Sequence, residues 1–113
     1  MVTSATDIAE VVRDVVTLLE RGLKVDTVIL YGSCATGTQH EGSDIDLAIF
    51  SPDFDGVAGG RCQERLAELL VRANPWVSPI GYPSSALREP SRTSLLTEII
   101  RTGRVVYQAE AAA

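Results

Sequence analysis

Basic side chains are scarce in this chain and nearly all of one kind. One Lys and nine Arg face 15 Asp and Glu, with a single His, giving a formal net charge of −5 over 113 residues. That balance argues against general nucleic-acid binding, where a basic footprint is expected. Cysteine is also sparse. Cys34 and Cys62 lack metal-ligand spacing, so free thiols are expected for both, with Cys34 as a small packing residue. No apolar run approaches the length needed to cross a bilayer. The N-terminus has no basic region followed by an apolar stretch, so it does not read as a secretory signal. The expected compartment is the cytoplasm, with no membrane association.

Hydrophobic residues make up 45% of the chain, enough for one core, and the length suits one domain over 1–113 with 109–113 as a frayed tail. Neither an internal repeat nor a linker interrupts it. Ile8, Val11, Val12, Val15, Leu18 and Leu19 recur at helical spacing, which predicts a helix from about Asp7 to Arg21, stopped at Gly22. Val25 to Tyr31 is rich in β-branched residues and reads as a buried strand; Ser43 to Phe50 reads as a second. The glycines and Pro52 between Ser51 and Gly60 predict a loop. A second amphipathic helix is expected over Arg61 to Ala73, with Leu66, Leu69 and Leu70 inward, broken by Asn74-Pro75. Trp76 to Ile80 is expected as a short strand, at an edge because Pro79 cannot donate to a ladder. Gly81 to Pro90 reads as loop. A last helix ends at Thr102 with Leu95, Leu96, Ile99 and Ile100 packed, and Arg104 to Tyr107 forms a final strand. The result is an α/β (α+β) fold, a small mixed sheet flanked by helices. Trp76 and Tyr82 read as packing residues, His40 as a solvated loop residue, and Arg88 and Arg92 as exposed loop arginines.

Tyr31-Gly32-Ser33 ends the first strand, and Ser43-Asp44-Ile45-Asp46-Leu47 opens the second. Side chains alternate along a strand, so Asp44 and Asp46 point one way while Ile45, Leu47 and Ile49 enter the core. Two carboxylates on one face repel each other and raise one pKa unless a cation joins them. Mg²⁺ takes a few carboxylates together with phosphate oxygens rather than a full protein cage. Glycine lets the backbone turn and approach a ligand, and successive N–H groups at such a turn suit an anion. The Ser33 hydroxyl adds a donor, and Cys34 to Gly37 is expected as a short helical turn. Gly32 and Ser33, with Ser43 beside the acidic pair, are the candidate nucleotide-binding residues. Asp44 and Asp46 are the candidate metal ligands and catalytic residues.

Gly32-Ser33, ten residues, then Asp44-Ile45-Asp46 resembles the Gly-Ser-x₁₀-Asp-x-Asp signature of the polymerase-β-like nucleotidyltransferase superfamily, above all its minimal (MNT) branch. The segment Leu95 to Tyr107 is similar to that family's closing helix-Gly-strand. The resemblance implies a Mg²⁺-dependent transfer of a nucleoside monophosphate, AMP from ATP, with the β- and γ-phosphates on Gly32 and Ser33. It also implies an antitoxin role beside a HEPN-domain ribonuclease toxin, whose tyrosine would be a plausible acceptor. So short a core must otherwise borrow its acceptor site from another subunit, as in a homo-oligomer. The family's third carboxylate, on a later strand, falls here on Ser78, and no Asp or Glu lies between Glu68 and Glu89. The family's frequent arginine after Gly-Ser is also replaced, by Cys34 and Thr36. Asp53 or Asp55 are the nearest substitutes for the missing carboxylate. These departures open a second reading: a catalytically degenerate module that neutralises a partner by covering its site.

Overall fold

The computed structural model describes residues 5–32, 44–88 and 94–109. Helix α1 runs over Ala5–Leu19, strand β1 over Thr27–Tyr31 and strand β2 over Ile45–Ser51. Helix α2 covers Gly59–Leu69, strand β3 Val77–Pro83, helix α3 Ser94–Thr102 and strand β4 Arg104–Gln108. The strands form one sheet in the order β3-β2-β1-β4. β1 is antiparallel to both β2 and β4, while β2 and β3 are parallel, so the sheet is mixed as expected.

Alternation along β1 and β2 builds a core on each face of the sheet. Val28, Leu30, Ile45, Leu47 and Ile49 join Ile8, Val11, Val12, Val15, Val16 and Leu19 of α1 and Cys62 and Leu66 of α2. On the other face Ile29, Ala48 and Phe50 meet Leu96 and Ile99 of α3. The Phe50 and Tyr82 rings stack there with centroids 5.5 Å apart. Every residue of β2 except Asp46 is buried. Cys62 is a buried free thiol, and Cys34 lies outside the described residues. Among the described residues no helix is long and apolar enough to cross a membrane.

Several local expectations change. Helix α1 spans Ala5–Leu19 rather than Asp7 to Arg21, and Ser84–Leu87, read as loop, forms a 3₁₀ helix. The stretch after β2 is not all loop: Pro52–Phe54 forms a 3₁₀ turn, with the Ser51 hydroxyl accepting from Asp53 N–H. Helix α2 begins and ends earlier than its apolar spacing suggests. The chain after Leu69 closes into turns, with Ala73 N–H donating to the Leu70 carbonyl at 2.9 Å, ahead of the Asn74-Pro75 step that disfavours helix. Strand β3 extends to Pro83, through residues whose glycine and proline read as breakers. It does lie at an edge, and its seven-residue parallel partner β2 holds it extended. Leu95 is 45% exposed rather than packed, because Leu96 and Ile99 take the sheet-facing side of α3. At the far end, Ala109 N–H donates to the Asp26 carbonyl at 2.8 Å, so the chain is tied there; 110–113 lie outside the described residues.

Candidate functional site

The end of β1 and the start of β2 meet at one edge of the α3-side face. Tyr31 pairs with Asp46 across the antiparallel ladder. Gly32 follows with φ +74°, a left-handed conformation that glycine adopts without the Cβ penalty. A Cβ built there would collide with Asp46 Oδ2, so the Gly32 backbone lies directly against that carboxylate. The glycine bend and the acidic pair, separated by ten residues in the motif, are neighbours in space.

Ile45, Leu47 and Ile49 are fully buried on the helix α1 and α2 side, which turns Asp46 to the other face. Alternation sends Asp44, exposed just before β2, the same way. Burial pushes the Asp46 carboxyl up, and the charge of Asp44 pushes it further. A carboxyl raised by burial and by a neighbouring carboxylate would be relieved by a cation placed between the two. Tyr31 is raised as well, first by burial, then by the charge of Asp46 and by Tyr82.

Strand β3 brings Ser78 into register beside Asp46. The position expected for a third carboxylate is therefore filled by a serine, which is exposed. Asp53 and Asp55 do not replace it. Both lie past the opposite end of β2, where Asp53 Oδ2 accepts from Lys24 N–H at 2.8 Å and Asp55 Oδ1 accepts from the Ser85 hydroxyl at 3.3 Å. Among the described residues no three His, Cys, Asp or Glu side chains converge as a metal cage. Ser33 and Ser43, and with them Thr36, His40 and Arg92, lie outside the described residues.

One feature beside Gly32 escaped the sequence reading. A pocket of about 430 Å³ is lined by Tyr31, Gly32, Leu95, Glu98, Ile99 and Thr102. Helical periodicity marks the apolar residues of α3 but does not show that Leu95, Glu98 and Thr102 form a ridge facing the end of β1. The spacing i, i+3, i+7 was the available signal.

A family model described as a nucleotidyltransferase domain matches residues 9–104. Among curated proteins, the Protein adenylyltransferase MntA of Shewanella oneidensis is 40% identical over 48 residues, which covers 42% of this chain and 34% of that protein. The match thus spans about a third of that relative's length. Among solved structures, a candidate nucleotidyltransferase from Sulfolobus solfataricus superposes with a TM-score of 0.61 at 15% identity, over 92% of this chain and 79% of that one. A toxin-antitoxin structure with AMP-PNP superposes with a TM-score of 0.53 at 25% identity, over 87% of this chain and 73% of that one.

Proposed function

Because the chain belongs to the nucleotidyltransferase domain family, of the polymerase-β-like type, we propose that it transfers AMP from ATP to a hydroxyl acceptor. The observation that carries this reading is the Gly32 backbone seated against the Asp46 carboxylate. In this reading Gly32 and Ser33 receive the β- and γ-phosphates, with Ser43 alongside. Asp44 and Asp46 hold Mg²⁺ as the metal ligands and catalytic residues. The donor set fits that ion, since Mg²⁺ is commonly held by one or two carboxylates together with substrate phosphates. When bound, the ion supplies charge neutralisation to the polyphosphate.

The acceptor oxygen forms a bond to the α-phosphorus, the bond to the bridging oxygen of the β-phosphate breaks, and pyrophosphate leaves with the electron pair. The protein's part is positioning. The bend fixes the leaving phosphates, and the acidic pair fixes the reacting phosphorus next to them.

The toxin-antitoxin neighbour holding AMP-PNP supports a nucleotide triphosphate substrate and a toxin as partner. The chain then acts as the antitoxin of a HEPN-domain toxin in the cytoplasm, modifying a tyrosine of that protein. Ser78 beside Asp46 favours one alternative, a degenerate module that masks its partner without chemistry. Radiolabel from α-labelled ATP distinguishes the two. On the enzymatic reading, Mg²⁺-dependent label appears on a co-expressed HEPN partner and is lost in Asp44→Asn and Asp46→Asn. Neutralisation that survives in both variants, with no label in the wild type, would establish masking instead.

A further inference from the structure

Tyr31, Asp46 and Ser78 belong to three neighbouring strands whose registers set them in a row, and Gly32 follows Tyr31 just past the end of β1. Tyr31, the residue before Gly32, pairs with Asp46, and Asp46 pairs with Ser78. With neighbouring strands about 4.8 Å apart, the row runs roughly 10 Å from β1 across β2 to β3. Phosphoryl transfer places the attacking and leaving oxygens in line on opposite sides of phosphorus. If pyrophosphate departs on the Gly32 side, the incoming hydroxyl arrives over β3.

Trp76 stands at that side. Its carbonyl accepts from Ile45 N–H at 2.7 Å, between the two candidate aspartates, and its own N–H donates to Asn74 Oδ1 at 2.8 Å. Val77 packs into the core on the α1 and α2 side, while Ile80 and Tyr82 pack on the opposite side, so Ser78 shares the side of Asp46. Pro75 and Val77 line a groove of about 360 Å³ against α2, of which Trp76 is not part. Trp76 lies in the turn that opens β3, closed by Val77 N–H donating to the Asn74 carbonyl at 3.0 Å, and it is 38% exposed. The adjoining edge of β3 is occupied: Gln63 Nε2 donates to the Pro79 carbonyl at 3.1 Å, and Gly81 N–H donates to Gln63 Oε1 at 2.7 Å. An acceptor here meets side chains rather than a free strand edge.

We infer that Trp76 is the acceptor-specificity residue, holding an aromatic hydroxyl of a protein substrate over the small Ser78. This rests on the nucleotide reading above. The new oxygen–phosphorus bond forms on the β3 side, pyrophosphate leaves on the β1 side, and the hydroxyl proton passes to water at the open edge. An indole face suits a flat phenol far better than an aliphatic alcohol or a sugar.

The test uses the full chain with N-acetyltyrosinamide and N-acetylserinamide as acceptor probes, α-labelled ATP and Mg²⁺. AMP-PNP affinity is measured in parallel by calorimetry. The wild type should label the tyrosine probe in preference. Trp76→Ala should raise KM for that probe about 10-fold, the scale of one aromatic contact, with AMP-PNP affinity within about twofold of wild type. Trp76→Phe should recover most of the loss. Transfer unchanged in Trp76→Ala overturns the assignment, as does a roughly tenfold loss of AMP-PNP affinity there, which would make Trp76 a base-stacking residue. Wild type that binds AMP-PNP yet labels neither probe overturns the acceptor assignment alone. Wild type that binds no AMP-PNP overturns the nucleotide reading with it.

Discussion

Gly32 combines two demands that no other residue type meets together. Its φ of +74° lies where an L side chain is strained, and the space a Cβ would need is taken by Asp46 Oδ2. Gly32→Ala should therefore act on both the backbone and the acidic pair. The backbone strain alone costs about 1–3 kcal/mol. Relief of the collision requires the Asp46 carboxylate to move from its place against the bend, so Mg²⁺-dependent AMP-PNP binding should fall more steeply than stability. Denaturant midpoints and calorimetry on the same preparation separate the two effects. A variant with wild-type affinity and only the stability loss would show that the bend is structural and does not face a ligand.

Strand β3 owes its form to contacts distant in sequence. Pro79 and Pro83 remove two backbone donors, and Gly81 weakens the strand further, yet the segment pairs with β2 along its whole length. Gln63, from the middle of α2, supplies one donor and one acceptor to the outer edge of β3 and stands in for an absent neighbouring strand. Gln63→Ala should destabilise the chain by about 1 kcal/mol and speed hydrogen exchange at Gly81, whose N–H loses its acceptor. Exchange at Gly81 unchanged from wild type would mean the amide is protected another way. This dependence explains why the sequence showed only half of β3: Gly81 and Pro83 carry local turn signals, and a partner 18 residues away in α2 leaves no local trace. β2 was legible in full because its alternation is intrinsic. Ile45, Leu47 and Ile49 could satisfy a core only by turning Asp46 outward, and the structure has that arrangement. The position of Ser78 beside the acidic pair was implied by the family resemblance rather than by spacing, and the register of β3 against β2 agrees with it. The ridge of Leu95, Glu98 and Thr102 was not, since periodicity ranks α3 positions by apolarity and two of the three are polar.

At the scale of the whole molecule, the sheet sets Asp46 at a rim where burial and the charge of Asp44 oppose its ionisation, so stability and ligand binding should respond to pH in opposite directions. The Asp46 carboxyl is raised in the fold, by burial and then by Asp44, so the native chain holds that proton more tightly than the unfolded chain does. The associated loss of stability is absent below the ordinary carboxylate range and grows as pH rises through the raised value. Asp46→Asn should accordingly be more thermostable than wild type at neutral pH when no ligand is present. Binding of Mg²⁺ and AMP-PNP needs the ionised carboxylate, so ligand stabilisation should grow over that same interval. At 100 times the dissociation constant it amounts to about 2.7 kcal/mol, or a rise in Tm of roughly 10 °C for a domain of this size. Thermal unfolding of both proteins, with and without Mg²⁺ and AMP-PNP across mildly acid to neutral pH, measures the two slopes together. The wild type should gain from the ligand most at neutral pH, and Asp46→Asn should gain little at any pH. Equal gains in both proteins would move the cation away from Asp46 and leave the acidic pair as a feature of the surface.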